Sequence, residues 1–209
     1  MNLQNNPIYS EDFSLLIKEG RDLVCCDDST SSENDNSTLK DYSNYLQSNL
    51  NKKIKINISS LVKDLVVLVQ DFLKSFDIEL VVKVKNADDI YTYENAFKQA
   101  LYNIIKNAQE ILVQREIYSP TLTIEVNKNE IEIYDNGGGI STDIIKDIFK
   151  PNFTTKKSSS GMGLYISKHI VEKYCNGKIS VSNITFIDKE KKVMEGAKFK
   201  ISLPNINQD

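Results

Sequence analysis

The chain has little histidine, arginine or cysteine, and each shortage closes off some chemistry. Its three cysteines are Cys25, Cys26 and Cys175, an odd number with two adjacent. That count makes a disulfide framework a poor fit, and the spacing matches no zinc site. A reducing, cytoplasmic setting is expected. Its two arginines, Arg21 and Arg115, leave lysine as nearly the whole basic complement, and the formal net charge is −3. Such a balance gives no electrostatic footprint for nucleic acid. No apolar run approaches the roughly 18–20 residues that span a bilayer. The first residues, Met1-Asn2-Leu3-Gln4, have neither the basic nor the apolar region of a secretory signal. The single histidine, His169, leaves one candidate for any imidazole chemistry within the chain.

The 209 residues are 40% hydrophobic and 26% charged, enough for one well-cored domain with a modest extension. Residues 27–38 are almost wholly Asp, Ser, Thr, Asn and Glu, so residues 1–38 read as a poorly ordered extension and linker. Residues 39–52 form a short polar helical segment, and the compact domain spans 53–204, with 205–209 as a tail. Ser59 or Ser60 caps a helix running through Leu73, with Leu61, Leu65, Leu68, Val69 and Phe72 at helical spacing. Ile78, Leu80, Val82 and Val84 alternate as a strand with one buried face. A long helix runs from about Thr92 to Glu116 on the stripe Phe97, Leu101, Ile104, Ala108 and Leu112. Two strands around Leu122–Val126 and Ile131–Ile133 flank a polar turn at 127–130. A short helix near 142–149, a third helix from Gly163 to Tyr174, and strands 178–183 and 196–203 follow. The expected fold is a two-layer α/β sandwich, a mostly antiparallel mixed sheet with three helices on one face. No internal repeat is present.

Chemistry concentrates between residues 103 and 164. Asn103 and Asn107 lie one helical turn apart at the edge of the apolar stripe, where polar groups can meet a ligand lying over the helix. An amide oxygen is a suitable hard ligand for Mg²⁺, though an Asn-rich composition also produces such a pair by chance. Asp135 ends a strand and shares the inward face of Ile131 and Ile133, which is costly unless its carboxylate meets a donor. An adenine amine would serve, with Gly137, Gly138 and Gly139 letting a planar base approach. Alternatively, the glycines form a turn and Asp135 caps the helix that follows. Gly161-Met162-Gly163-Leu164 opens the third helix, where backbone N–H groups form an anion site. Lys156 lies just before it and could pair with phosphate. Phe149, Pro151 and Phe153 read as packing.

Together, in order and spacing, Asn103-Ile104-Ile105-Lys106-Asn107, Asp135-Asn136-Gly137-Gly138-Gly139, Phe149 to Lys156 and Gly161-Met162-Gly163-Leu164 resemble the four boxes of a known ATP-binding domain. That domain is the catalytic part of bacterial two-component sensor histidine kinases, and its fold (Bergerat, or GHKL) is shared with type II topoisomerases, a mismatch-repair ATPase and a heat-shock chaperone. The resemblance covers about 53–204, and Gly196-Ala197-Lys198-Phe199 is similar to the family's closing segment. It implies ATP and Mg²⁺ as cofactors, with Asn107 as the metal ligand and Asn103 its partner. It implies Asp135, Gly137, Gly139 and Ile140 beside the adenine, a lid from 154 to 160, and Phe153, Thr154, Thr155, Lys156, Gly161, Met162, Gly163 and Leu164 on the phosphate side. Asn103, Asn107 and Lys156 would take part in catalysis. Three positions depart from the family pattern: Ser159 where a glycine is common, Asn152 for an aromatic, and Tyr165 for a glycine.

ATPases of this superfamily place a water-activating Glu where Asn103 stands, so the resemblance favours transfer to histidine over hydrolysis. No histidine lies upstream of residue 59, and His169 is expected on the solvated side of the third helix, opposite Ile166, Ile170 and Tyr174. The acceptor histidine would then come from a separate dimerisation or phosphotransfer domain, with a response regulator as onward partner and the chain itself a monomer or weak dimer. Two alternatives share the fold: a non-catalytic ATP-binding module and a serine kinase of the anti-sigma-factor type.

Overall fold

The computed structural model describes residues 52–156, 159–187 and 191–204. The expected extension and helical segment up to residue 51, and the tail at 205–209, lie outside the described residues. Strand β1 (Ile54–Asn57) leads directly into helix α1 (Ile58–Lys74). The cap is Asn57 and not Ser59 or Ser60. Its Oδ1 accepts from the Ser59 N–H at 3.0 Å, and its Nδ2 donates to Ala87 O and Asp89 Oδ1, both at 3.0 Å. One side chain thus closes the helix end and also fixes it to strands β2 (Glu79–Ala87) and β3 (Asp89–Thr92), which a serine hydroxyl could not reach to do. β3 pairs antiparallel with β1, so Thr92 belongs to a small ribbon and helix α2 starts later, at Glu94–Gln114.

The main sheet has the order β2-β4-β5-β7-β6, with β4 at Thr121–Lys128, β5 at Glu130–Asp135, β6 at Lys178–Ile187 and β7 at Val193–Ser202. β2 runs parallel to β4, and every other pairing in the sheet is antiparallel. The turn between β4 and β5 is tighter than expected, with Lys128 at φ 56° just before Asn129. Alternation places Leu122, Ile124, Val126, Ile131, Ile133, Ala197, Phe199 and Ile201 on one buried face. The opposite face carries ion pairs between neighbouring strands: Lys85–Glu125 at 2.5 Å, Lys198–Glu132 at 3.4 Å and Lys200–Glu130 at 2.9 Å. On edge strand β2, Val82 and Val84 are 40% and 44% exposed, against the single buried face expected there. They share a row with buried Ile124 and Val126 but lie on the sheet's edge strand, with a neighbouring strand on one side only.

Helices α1, α2 and α3 (Gly163–His169) form the other layer, with α2 packed against both neighbours and over β4 and β5. Lys98 is buried between α1 and α2 and pairs with Glu94 at 2.6 Å and Asp64 at 3.2 Å. The result is the two-layer sandwich with a mixed sheet. Two further details differ from expectation. Residues 142–149 form consecutive turns instead of a helix, closed by three-residue bonds such as Asp147 N–H to Ile144 O at 2.8 Å. The third helix continues past His169 as a π-helical turn, Ile170–Tyr174.

Candidate nucleotide-binding site

Asp135 ends β5 on the inward face and is 4% exposed. Its Oδ1 accepts from Gly137 N–H at 2.8 Å and Ala197 N–H at 3.3 Å, while Oδ2 receives neither. The first bond is a two-residue Asx turn, so Asp135 caps the glycine turn and not a following helix. Burial pushes its carboxyl above the ordinary aspartate range, against the pull of the two N–H groups and the Arg115 guanidinium. The second bond requires β7 to pass close by. A Cβ on Gly196 would lie 1.6 Å from Asp135 O, so only glycine permits that approach.

The glycine turn is held from two sides by residues that sequence reasoning missed. Arg115, at the end of α2, donates through Nη1 to Gly137 O and, at 2.9 Å, to Gly139 O. Asn183 on β6 brackets Ile140, accepting its N–H at 2.8 Å and donating to its carbonyl at 2.7 Å. Buried Asn136 fastens the approach to β4, bonding Thr121 N–H at 2.8 Å and Ser119 O at 3.0 Å. Arg115 is one of only two arginines and ends a helix, which was the available signal. Asn183 carried none, because it comes into place only when β6 joins the sheet.

On α2 the two asparagines do different things. Asn103 Nδ2 donates to Gly163 O at 3.2 Å, and its Oδ1 accepts from Gln99 at 2.9 Å. The carbonyl of Gly163 can only accept, so it fixes the orientation of both amides. Ser167 Oγ, fully buried, lies 3.0 Å from Ala100 O and from Gly163 O and strengthens the same tie between α2 and α3. Asn107 Oδ1 instead accepts from Lys156 Nζ at 3.2 Å, and that ammonium also pairs with Glu110 Oε2 at 2.6 Å. Lys156 is thereby brought to α2, while Thr154 shapes its approach: Thr154 Oγ1 accepts from Lys156 N–H at 3.0 Å.

Gly161 has φ +67°, and a Cβ there would lie 2.6–2.7 Å from the backbone of Asn152 and Phe153. Only glycine fits that crossing. Asn152 also has positive φ, 59°, which asparagine tolerates better than an aromatic residue would. Met162 is buried and Leu164 half-buried, and Thr155 stands exposed. Phe149 packs edge-on against Phe199 at 6.2 Å, in line with a packing role. Residues 157 and 158 of the expected lid lie outside the described residues.

His169 is not on a solvated face. It is half-buried, stacked on Tyr165 at 6.1 Å and in edge contact with Tyr174 at 5.5 Å. The π turn explains the second contact, since its wider winding returns residue i+5 to the side of residue i. Burial, and then Lys173, lower the imidazole's affinity for a proton. Among the described residues no group of three His, Cys, Asp or Glu is placed to hold a metal, and no helix is long and apolar enough to cross a membrane.

The sandwich thus carries two asparagines on its central helix and a buried strand-end aspartate with a clamped glycine turn, and the family to which it belongs is one of ATP-binding domains. The chain belongs to the histidine kinase-, DNA gyrase B- and HSP90-like ATPase family, whose profile matches residues 92–207. It is 30% identical over 189 residues to the signal transduction histidine-protein kinase AtoS of Escherichia coli K12, covering 86% of this chain and 28% of AtoS. The chain thus spans little more than a quarter of that relative. The catalytic domain of histidine kinase ThkA superposes with a TM-score of 0.59 at 23% identity, over 74% of this chain and 97% of that domain. ThkA in complex with the response regulator TrrA matches with a TM-score of 0.56 at 18% identity, over 95% of this chain and 62% of the solved chain.

Proposed function

We propose that this chain is the ATP-binding catalytic domain of a two-component histidine kinase. It would transfer the γ-phosphoryl group of Mg·ATP to a histidine on a separate dimerisation or phosphotransfer domain, and the group would pass from there to an aspartate of a response regulator. The observation that carries the reading is the state of Asn103. Both polar ends of its side chain are occupied, Nδ2 in tying α2 to α3 through Gly163 O and Oδ1 by Gln99 of its own helix, and an amide cannot deprotonate water. The site therefore lacks a hydrolytic base at the position where one would act, whereas a neutral imidazole attacks phosphorus without one.

The donor set suits the nucleotide. Asp135 Oδ2 would accept the adenine amine, and the turn held by Arg115 and Asn183 would line the base. The Gly161–Gly163 segment and Lys156 would meet the phosphates. Asn107 Oδ1 already holds a cation, the Lys156 ammonium, so its position suits a Mg²⁺ that takes few protein ligands and completes its shell with water and phosphate oxygens. When bound, Mg²⁺ would neutralise charge developing on the phosphate oxygens. The chain's own residues orient the nucleotide and screen its charge. His169, stacked on Tyr165 and in edge contact with Tyr174, would serve as packing and not as acceptor. Response-regulator partnership is supported by the likeness to ThkA, which has been solved with TrrA.

The experiment is to incubate the purified chain with labelled ATP and candidate histidine-containing domains. Acid-labile, base-stable label on the acceptor is expected. Acid-stable phosphoserine would point to the anti-sigma type of kinase, and nucleotide binding with no transfer to any acceptor would favour a regulatory module.

A further inference from the structure

Lys156 is an unusual lysine. Its side chain is 17% exposed, and its ammonium sits between two oxygens of one helix, Glu110 Oε2 at 2.6 Å and Asn107 Oδ1 at 3.2 Å. Glu110 follows Asn107 by three residues, so both project from the same face of α2. The other carboxylate oxygen of Glu110 lies 3.8 Å from Lys106 Nζ, a second cation on its own helix. The Thr154 turn holds the Lys156 backbone, from which that side chain starts.

From this arrangement we infer that Glu110 is a positioning residue that latches Lys156 over Asn107, so that the ammonium and a divalent cation compete for the same amide oxygen. The inference rests on the proposed nucleotide site and adds a control to it. Like charges a few ångströms apart exclude one another in a site partly screened from water. Lys156 must therefore leave Asn107 before a divalent cation settles there, and the freed ammonium becomes available to phosphate. Glu110 sets the cost of that exchange. Its carboxylate stabilises the resting position, and this holds the site closed to nucleotide lacking its metal. Binding then requires the protein to give up a pre-existing state, which lowers apparent affinity by the fraction of molecules already released.

Glu110→Gln keeps the size and a hydrogen-bonding oxygen and removes the charge. Two measurements on the full chain test the latch. The first uses no nucleotide: trace acetylation with acetic anhydride, read by mass spectrometry. Lys156 should react severalfold more slowly than exposed Lys74, and Glu110→Gln should raise its rate at least threefold. The second is calorimetric titration with ADP, with and without Mg²⁺. Glu110→Gln should tighten metal-free binding three- to tenfold and narrow the difference that Mg²⁺ makes. The same substitution on a Lys156→Ala background should give less than a third of that gain. A Lys156 as reactive as Lys74, or equal gains in both backgrounds, would overturn the latch and leave the nucleotide site standing. Failure of the wild-type chain to bind ADP under any condition would overturn both.

Discussion

Replacing Asp135 with asparagine tests the base-reading carboxylate while sparing the fold. The amide oxygen keeps an acceptor for Gly137 N–H and Ala197 N–H, which now lie 2.8 and 3.3 Å from Oδ1. The amide nitrogen would meet the adenine amine donor to donor. A hydrogen bond to a charged group contributes about 1.5–3 kcal/mol, so ATP affinity should fall by roughly 10- to 150-fold. Stability should hold or rise, because burial disfavours the ionised carboxyl and the amide removes that penalty, less the attraction of Arg115. The pH dependence follows from the sign of the shift. The folded-state pKa is raised above the ordinary value of 3.8, so between the two values the native form binds more protons than the unfolded chain. Wild-type stability should therefore decline relative to the Asn variant as pH rises through that window, and the difference should level off above it. Asp135→Ala behaves differently, since it strands two N–H groups at about 1–3 kcal/mol each. Calorimetry with ATP and with inosine triphosphate, which lacks the amine, gives the assay alongside thermal melts. Wild type should prefer ATP, and the Asn variant should lose or reverse that preference, because its amide nitrogen can donate to the carbonyl that inosine carries in place of the amine. ATP binding within threefold of wild type, or an Asn variant as unstable as the Ala variant, would refute the reasoning.

Gly161→Ala combines positive φ with Cβ contacts to two backbones, a cost of roughly 2–4 kcal/mol if nothing moved. The 152–161 crossing should open instead, lowering nucleotide affinity at least tenfold (an estimate of the same order) while the melting temperature changes little. Gly196→Ala strikes the sheet itself, where Cβ would meet Asp135 O; a loss of at least about 2 kcal/mol in denaturant unfolding is expected. Arg115→Ala frees the Gly137 and Gly139 carbonyls at an exposed helix end, so stability should move by no more than about 1 kcal/mol. Amide exchange in 137–140 should nevertheless rise, and Asn183→Ala should reproduce that rise from the other side.

Where long-period hydrophobic patterns carried the signal, the fold was legible. The stripe from Phe97 to Leu112 is buried throughout, and the inward turn of Asp135 follows from strict alternation along β5. Short or context-bound elements were not legible. The β1–β3 ribbon has four residues per strand and exists through pairing across more than thirty residues. Residues 142–149 carry Ile144, Ile145 and Ile148 at helical spacing, but the segment is rich in β-branched side chains and confined between three glycines and Pro151. Too few residues remain to offset helix nucleation. The π turn after His169 hid the aromatic stack, because a period of 3.6 places Tyr174 on the wrong side. In the site, sequence spacing gave the four segments. It could not show that Asn103 is consumed as a tie while Asn107 holds a cation, since that depends on Gly163 and Lys156 arriving from distant parts of the chain.

The central claim is phosphoryl transfer to a histidine outside this chain, guided by Asp135 and Asn107. The direct test is rapid-quench incubation of the purified chain with γ-labelled ATP and a histidine-containing acceptor domain, comparing wild type with Asp135→Asn and Asn107→Ala. The account predicts label on the acceptor that is lost in acid, survives base and disappears with either variant. Label that is stable in acid, or transfer that persists undiminished in both variants, would contradict it.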